Sequence, residues 1–188
     1  MRTIGLIGGM CWDSTAEYYR MANQQIASHL GGFHSARILL DSLDFAEIER
    51  FQVEGDWNSA GAVLARSART LERAGAAVIV LGTSFTMEQP FHRERLASHG
   101  LTVVVPDADD RAAVHRIIYD ELVHGVIREE SRAVYRRVIA RLVDAGAEGV
   151  ILGCTEIELL ITAADSAVPL FPTAQIHVAA AVDFALSE

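Results

Sequence analysis

The chain has few cysteines, few basic residues and no long apolar run, and each of these shortages excludes some classes of protein. Two cysteines among 188 residues cannot build a disulfide framework, so a reducing, cytoplasmic setting is expected. The 16 basic residues are outnumbered by 25 acidic ones, which gives a net charge of −9. Because phosphate contacts need clustered Lys and Arg, no nucleic-acid partner is expected. No apolar run approaches the ~20 residues that cross a bilayer, and the apolar run of MRTIGLIGGM is too short for a signal peptide, so no membrane partner is expected.

What remains is a regular alternation of apolar runs, typical of an α/β protein. Hydrophobic residues make up 51% of the chain, which at this length suffices for a buried core. Predicted strands cover residues 3–7, 36–40, 77–81, 102–105, 149–152 and 168–171. Their alternation with helices predicts parallel strands with helices on both faces, and ligands at the carboxyl ends of the strands.

The predicted helices are marked by caps and by apolar faces. Capping-box patterns occur at Ser14-x-x-Glu17 and Thr155-x-x-Glu158. An apolar face formed by Ala60, Val63, Leu64, Ser67 and Leu71 predicts another helix, with Gly75 at its end. Further helices are predicted over residues 87–98, in the region of Val114 to Leu122, and in the region of Val134 to Leu142, where Gly146 ends the helix. Thr173 is predicted to cap the last helix.

One segment of the chain is repeated. Residues 71–83 resemble residues 142–154, and the repeat aligns Thr83 with Cys154, 71 positions later. Two similar lobes, each ending a central strand at a shared cleft, would produce this pattern. The alternative is that a helix, an Ala-Gly-Ala turn and a strand simply occur twice, as they often do in α/β proteins.

Cys154 is the strongest candidate for a catalytic side chain. It follows the predicted strand GVILG and precedes a capping-box pattern, which places it at the carboxyl end of a strand and the amino end of a helix. Backbone N–H groups and the helix dipole at that position favour a thiolate over a thiol. The alternative is an inert buried cysteine, which is common in protein cores.

Cys11 lies in the glycine turn after the first predicted strand, where it either packs as a small residue or lies near a ligand. The preceding residues 8–10 are too short for a dinucleotide fingerprint, although a backbone nest for a carboxylate fits there. No His or Asp lies at ligand spacing from either cysteine, so no metal site is expected.

Three further groups of polar residues are open to a functional or a structural interpretation. Thr83, Ser84 and Thr86 follow the strand AVIVL and either hold a carboxylate or amine or cap the next helix. His177 lies just inside the last predicted helix, where a lone histidine is more often structural than catalytic. Four arginines form either a solvated helix face or a face from which one side chain enters the cleft. They are Arg128, Arg132, Arg136 and Arg137.

Five segments together point to a known family. They are IGLIGGMCWDST at residues 4–15, LGTSFTMEQ at 81–89, YDEL at 119–122, GCTEI at 153–157 and A-x-I-H at 174–177. This set resembles the aspartate/glutamate racemases, and most closely the broad-specificity bacterial amino-acid racemase branch.

The resemblance implies two flavodoxin-like lobes related by a pseudo-two-fold axis, with the site between them and neither pyridoxal phosphate nor a metal. One cysteine thiolate removes the α-proton of an amino acid, and an opposing thiol returns a proton on the other face. By the resemblance Cys154 is one of the pair, Thr155 binds the substrate and Glu156 lies near the thiol. Met10 and Gln52 fall where the branch contacts its amino acid. The implied partner is a small amino acid or carboxylate, most often an acidic amino acid.

The chain departs from the family between the two lobes. Residues 78–81 run directly into residues 82–87, which the family places at the start of its second lobe. The single strand at residues 78–81 therefore corresponds to two positions in the family, one in each lobe. About forty residues, roughly one β-α unit with its connection, are absent. They would include the family's first catalytic cysteine. Thr83 stands at the corresponding repeat position, and its hydroxyl is too weak a base to replace a thiolate. Thr83 and Thr86 are interpreted as substrate contacts, and Cys11 as the candidate substitute base.

The predicted architecture is therefore a two-lobe racemase shortened between its lobes. The first lobe spans residues 1–81, with a C-terminal helix at 173–188 that packs back on it, and the second spans 82–172. A homodimer is one way to cover the strand edges that the shortening exposes. The implied activity is proton transfer at the α-carbon of an amino acid. The alternatives are a one-cysteine enzyme that uses Cys154 for proton exchange or decarboxylation, and a carboxylate-binding or deletion variant without catalysis.

Overall fold

The structure is a computed structural model that describes residues 1–81 and 102–187. Its strands are β1 (Ile4–Gly8), β2 (Ile38–Ser42), β3 (Val78–Leu81), β4 (Val150–Leu152) and β5 (Leu170–Pro172). Its α-helices are α1 (Trp12–Leu30), α2 (Phe45–Glu54), α3 (Trp57–Arg73), α4 (Ala108–Asp120), α5 (Glu129–Asp144), α6 (Thr155–Leu160) and α7 (Thr173–Leu186), and 3-10 turns lie at Leu122–His124 and Ala163–Asp165. The strands pair in parallel and helices flank them, so the predicted α/β class is confirmed.

The described residues divide into two compact units. The first comprises residues 1–81 and 174–187, and the second comprises residues 102–173. In the first unit the strand order is β2-β1-β3, with Ile4 opposite both Ile38 and Val78. In the second unit β4 pairs with β5, and Val150 lies opposite Leu170.

The core of the first unit is built around β1. This strand is buried along its whole length, as its continuous apolar run predicts for a central parallel strand. Its Ile4 and Leu6 share one hydrophobic cluster with apolar residues of α1 and α7. A separate cluster, formed by Met10 with Ile48 of α2 and Val63 of α3, packs beyond the end of β1. The turn after β1 is therefore packed against the α2–α3 pair.

The core of the second unit lies between helices α4 and α5, strand β4 and helix α6. Its fully or nearly fully buried members include Ile117, Leu122, Val138, Leu152 and Leu160. Cys154 belongs to the same cluster. None of the helices in the described ranges is long and apolar enough to cross a membrane.

Some local predictions are wrong. Residues 102–105, whose β-branched run predicts a strand, have irregular backbone. A strand requires a hydrogen-bonded neighbour, and no described strand pairs with this segment. The predicted helix over residues 87–98 lies outside the described residues, as do Thr83, Ser84 and Thr86.

Both capping-box predictions are also wrong, because the helices start earlier than the patterns indicate. The N-cap of α1 is Cys11 and that of α6 is Cys154, and neither side chain makes a capping hydrogen bond. The Thr155 hydroxyl donates instead to the carboxylate of Glu156.

Candidate active site

Cys154 lies where β4 ends and α6 begins, as predicted. The strand ends at Leu152, and the helix starts at Thr155 with Cys154 as its N-cap. Only 3% of Cys154 is exposed. The apolar strand and the short helix that follows it thus place a thiol at the carboxyl end of β4, inside the core of the second unit.

Glu156 is the direct partner of the Cys154 thiol. The Cys154 Sγ donates a hydrogen bond to Glu156 Oε2 at 2.7 Å, and the Thr155 hydroxyl donates to the same oxygen at 3.1 Å. Glu156 is 1% exposed. Burying a carboxylate is costly unless it is hydrogen-bonded, and these two donors reduce that cost. A carboxylate in this position can accept the thiol proton.

The pKa of the Cys154 thiol is raised above its ordinary value. Burial is the largest cause, because it disfavours the charged form, and the negative charge of Glu156 and the hydrogen bond to it add to the effect. The backbone N–H groups of Glu156 and Ile157 act in the opposite direction but do not offset burial. The helix terminus therefore favours the thiolate, as predicted, but burial and Glu156 outweigh this contribution and the thiol is the resting form.

Tyr135 is a neighbour of this pair that the sequence analysis did not single out. It is 4% exposed and lies in the same hydrophobic cluster as Cys154, and its hydroxyl donates to the Val114 carbonyl at 3.5 Å. Burial raises the pKa of Tyr135, and the charges of Cys154, Glu121 and Glu156 raise it further. The phenol therefore stays neutral. Its place on the buried face of α5 was the available sequence signal.

The turn after β1 holds Cys11 in a defined position. Gly9 has φ +88°, and a Cβ atom there would lie 2.0 Å from the Leu43 carbonyl oxygen. The Gly9 N–H donates to the Thr15 hydroxyl at 2.9 Å, and that hydroxyl donates to the Cys11 carbonyl at 3.0 Å. Cys11 is thereby fixed at the amino end of α1, partly buried.

Met10 and Gln52 lie on neighbouring parts of the first unit. Met10 is 6% exposed and packs in the cluster with Ile48 and Val63. Gln52 stands one helical turn beyond Ile48 on α2, on the same face. The Gln52 Oε1 atom is buried and has no hydrogen-bond partner among residues 1–81 and 102–187. An unpaired buried acceptor is costly, and it is free to accept an N–H group.

The remaining predicted residues have structural contacts. His177 Nδ1 lies 3.4 Å from the Tyr18 hydroxyl, the two rings meet edge to face, and burial lowers the pKa of His177. Arg132 does not belong to a purely solvated face, because it contacts the buried carboxylate of Asp165. In residues 1–81 and 102–187 no group of three or more His, Cys, Asp or Glu is placed to hold a metal ion.

The chain is similar to one protein-family model and to several solved structures. The family model for Asp/Glu/hydantoin racemases matches residues 7–81 and 67–181. The crystal structure of a proposed Asp/Glu racemase from Yersinia pestis is similar over the whole of both chains, with 45% identity and a TM-score of 0.89. An aspartate racemase homologue from Pyrococcus horikoshii OT3 is also similar over both whole chains, with 28% identity and a TM-score of 0.81. The aspartate racemase of Picrophilus torridus has the same fold, with 16% identity, a TM-score of 0.71 and coverage of 98% of this chain and 94% of that one.

Proposed function

The chain belongs to the Asp/Glu/hydantoin racemase family, and we propose that it moves the α-proton of an amino acid with Cys154 as an acid–base group. The observation that supports this most directly is the 2.7 Å contact between Cys154 Sγ and the buried carboxylate of Glu156. A thiol and a proton acceptor are thus paired at the carboxyl end of a parallel strand, where α/β proteins bind ligands.

Proton transfer begins within the Cys154–Glu156 pair. The carboxylate of Glu156 takes the thiol proton, which leaves a thiolate on Cys154 and a neutral carboxylic acid on Glu156. The thiolate then takes the α-proton of the amino acid and becomes a thiol again, and a carbanion remains on the substrate. Return of a proton to the carbanion completes the exchange. An acid–base group of this kind contributes about 10²–10⁴ to the rate.

The raised pKa of the Cys154 thiol suits this step. The α-proton of an amino acid is weakly acidic, and a thiolate whose conjugate thiol has a raised pKa is a stronger base. The cost is that few thiolates form spontaneously in a buried site. Glu156 offsets this cost, because it accepts the proton inside the site instead of releasing it to water.

The proposed substrate is an amino acid with an acidic side chain. The Pyrococcus relative is described as an aspartate racemase homologue, which supports this class. Gln52 is proposed to accept a hydrogen bond from the substrate's ammonium group, since its buried amide oxygen has no partner in the described part of the chain. Met10, Thr83, Thr86 and Thr155 are the other proposed contacts.

The proposed reaction uses side chains and not pyridoxal phosphate. Enzymes that use this cofactor bind it through a Schiff base with a lysine. The 188 residues include no lysine, because all 16 basic residues are arginines. We therefore assign the proton transfer to the cysteine and its carboxylate partner.

Racemisation requires a second acid–base group on the opposite face of the α-carbon, and Cys11 is the candidate for it. Like Cys154, it lies between the carboxyl end of a parallel strand and the amino end of a helix. In a Cys11→Ser variant we expect racemisation to fall by about 10²–10⁴, measured by chiral chromatography, while Cys154-dependent proton exchange persists. An unchanged rate of racemisation would remove Cys11 from the mechanism.

The role of Cys154 is tested by its replacement with serine. Cys154→Ser keeps the size of the side chain, but its hydroxyl is a far weaker acid than a thiol, so the rate of D-aspartate and D-glutamate formation should fall by about 10²–10⁴. The matched control is Ser166→Ala, a change to a small polar side chain in the same unit whose hydrogen bonds within the described residues are to the backbone of Val168. Parent-like racemisation by Cys154→Ser would contradict the proposal.

A further inference from the structure

We infer that Arg132 and Asp165 are positioning residues that hold helix α6, and with it the Cys154–Glu156 pair, in its working geometry. The catalytic consequence rests on the proposed function, whereas the structural consequence can be measured without substrate. Neither residue touches the reacting thiol. Both act on the opposite end of the helix that begins beside it.

Helix α6 needs support from outside itself. It spans only six residues, Thr155–Leu160, and an isolated helix of that length is unstable in water because nucleation is unfavourable. Its last carbonyl groups have no partner within the helix. Since Cys154 is its N-cap and Glu156 lies in its first turn, unwinding of α6 changes the distance between these two side chains, and displacement of α6 moves both of them out of their buried surroundings.

Arg132 supplies that support from helix α5. Its Nη1 atom donates to the carbonyl of Leu160, the last residue of α6, and to Asp165 Oδ2 at 3.2 Å. Leu160 is completely buried. One guanidinium therefore satisfies a terminal carbonyl of α6, places a positive charge at the negative end of the helix dipole, and joins α6 to the longer α5.

Asp165 fixes the guanidinium in turn. Its side chain is 1% exposed, and it accepts from the Thr162 N–H at 2.8 Å, the Thr162 hydroxyl at 3.0 Å and Arg136 Nε at 2.6 Å. With Arg132 this makes four donors around one carboxylate. A buried charge with this many partners is held rigidly, so Asp165 anchors Arg132 from the loop that follows α6.

The reactivity of Cys154 reports the position of α6. The thiol is slow to ionise because it is buried and lies beside a carboxylate, and both conditions depend on α6 remaining docked. Cys11 is in the first unit and serves as an internal reference. We therefore propose to measure alkylation of both cysteines by iodoacetamide as a function of pH, with the two sites resolved by peptide mass spectrometry.

The principal variant is Arg132→Met, which keeps the length of the side chain and removes its donors. Near the ordinary thiol pKa of about 8.5, we expect alkylation of Cys154 to rise by about tenfold or more, with its pH profile moved to lower pH. Alkylation of Cys11 should not change. In Arg132→Lys, which keeps the charge but not the fork of donors, the rise should be smaller.

The matched control is Arg137→Met on the same helix. Arg137 is exposed and, within the part of the chain that the structure describes, its side chain donates to the Ala133 carbonyl of its own helix, so both cysteines should react as in the parent. If Arg132→Met unfolds the whole chain, Cys11 also becomes reactive. The alkylation of Cys154 in Asp165→Asn is then the test of the inference. A folded Arg132→Met or Asp165→Asn variant with the parental Cys154 rate and pH profile would overturn the inference.

The two proposals fail in different ways. Alkylation needs no amino-acid substrate, so a parent chain without racemase activity would contradict the proposed function and leave the positioning role intact. A parent chain that is active, combined with unchanged Cys154 reactivity in folded Arg132 and Asp165 variants, would overturn only the positioning role.

Discussion

The charge of Glu156 is one of the causes of the raised pKa of the Cys154 thiol, after burial. In Glu156→Gln the side chain keeps its shape and loses its negative charge, so one cause of the raised thiol pKa disappears while burial remains. We expect the pKa of Cys154 to fall toward its ordinary value, and thiolate to form at lower pH than in the parent. The pH dependence of alkylation at Cys154 measures this directly.

The same variant should lose catalytic activity. A neutral amide cannot accept the thiol proton, so α-proton exchange should slow by about 10²–10⁴, even though the thiolate is easier to form. Glu158→Gln is the matched control, because it removes a carboxylate from the same helix two positions further on. A Glu156→Gln variant whose thiol titrates as in the parent would contradict the assigned role of Glu156.

Cys154 also illustrates what a sequence can and cannot predict for one residue. Its location between a strand and a helix follows from the apolar run before it. The direction of its pKa shift does not, because a helix terminus contributes about 0.3–1 kcal/mol, whereas burial can shift a pKa by several units of about 1.36 kcal/mol each. Burial depends on Tyr135 and other core residues that are distant in sequence.

At the scale of single elements, the turn between β1 and α1 depends on Gly9. An alanine there would combine an unfavourable positive φ with a Cβ atom 2.0 Å from a backbone oxygen and 2.4 Å from a backbone nitrogen of Leu43. Backbone atoms cannot move aside as a flexible side chain can. We expect Gly9→Ala to lower the free energy of unfolding by about 1–3 kcal/mol or more, measured by urea denaturation.

The control for Gly9 is a glycine without these constraints. Gly61 lies inside α3, and a Cβ atom added there meets nothing within 4 Å. Alanine has the higher helix propensity, so Gly61→Ala should raise the free energy of unfolding by about 0.5–1 kcal/mol. Equal stabilities for Gly9→Ala and the parent would show that this turn tolerates a side chain.

Apart from residues 102–105, which are irregular, the apolar runs of the sequence locate the described strands. The strands β1, β2 and β4 lie within about two residues of the predicted apolar runs. For β1 the reason is burial along its whole length, since a strand buried in a parallel sheet needs a continuous run of this kind. Helix starts were misplaced at Ser14 and Thr155, since the N-caps are the cysteines before them. The Thr155 hydroxyl donates instead to the carboxylate of the next residue, Glu156, a bond that the capping pattern does not contain.

At the scale of the whole molecule, Asp165 links stability to pH. Burial acts to raise the pKa of its carboxyl, but the Thr162 and Arg136 hydrogen bonds outweigh burial and lower it to about 2. In the unfolded chain the value is about 3.9. The stabilisation is therefore complete above about pH 4 and is lost as the pH falls through about 2.

This dependence can be measured by denaturant unfolding between about pH 5 and pH 2. Asp165→Asn should be less stable than the parent at neutral pH and should lose less stability across that window. Asp109→Asn, at an exposed position near the start of α4, is the matched control and should follow the parent. If Asp165→Asn and the parent lose stability in parallel, Asp165 is not the group that couples folding to pH.

The family and the fold class follow from sequence, whereas the supporting contacts do not. GCTEI at residues 153–157 and the glycine turn after β1 are local patterns, and both lie at the carboxyl ends of strands. The contacts of Arg132 with Leu160 and Asp165 join residues 28 and 33 positions apart, and no local pattern predicts them. The two matches to the family model overlap over residues 67–81, which include β3, the strand that the resemblance assigns to two places.

The central claim is that Cys154 removes the α-proton of an acidic amino acid, and proton NMR of L-aspartate and L-glutamate in D₂O tests it most directly. With the folded parent we expect the α-proton signal to disappear as deuterium replaces it, and chiral analysis of the same sample to detect the D-enantiomer. With Cys154→Ser the α-proton signal should persist and no D-enantiomer should form. A well-folded parent that leaves the α-proton in place would contradict the claim.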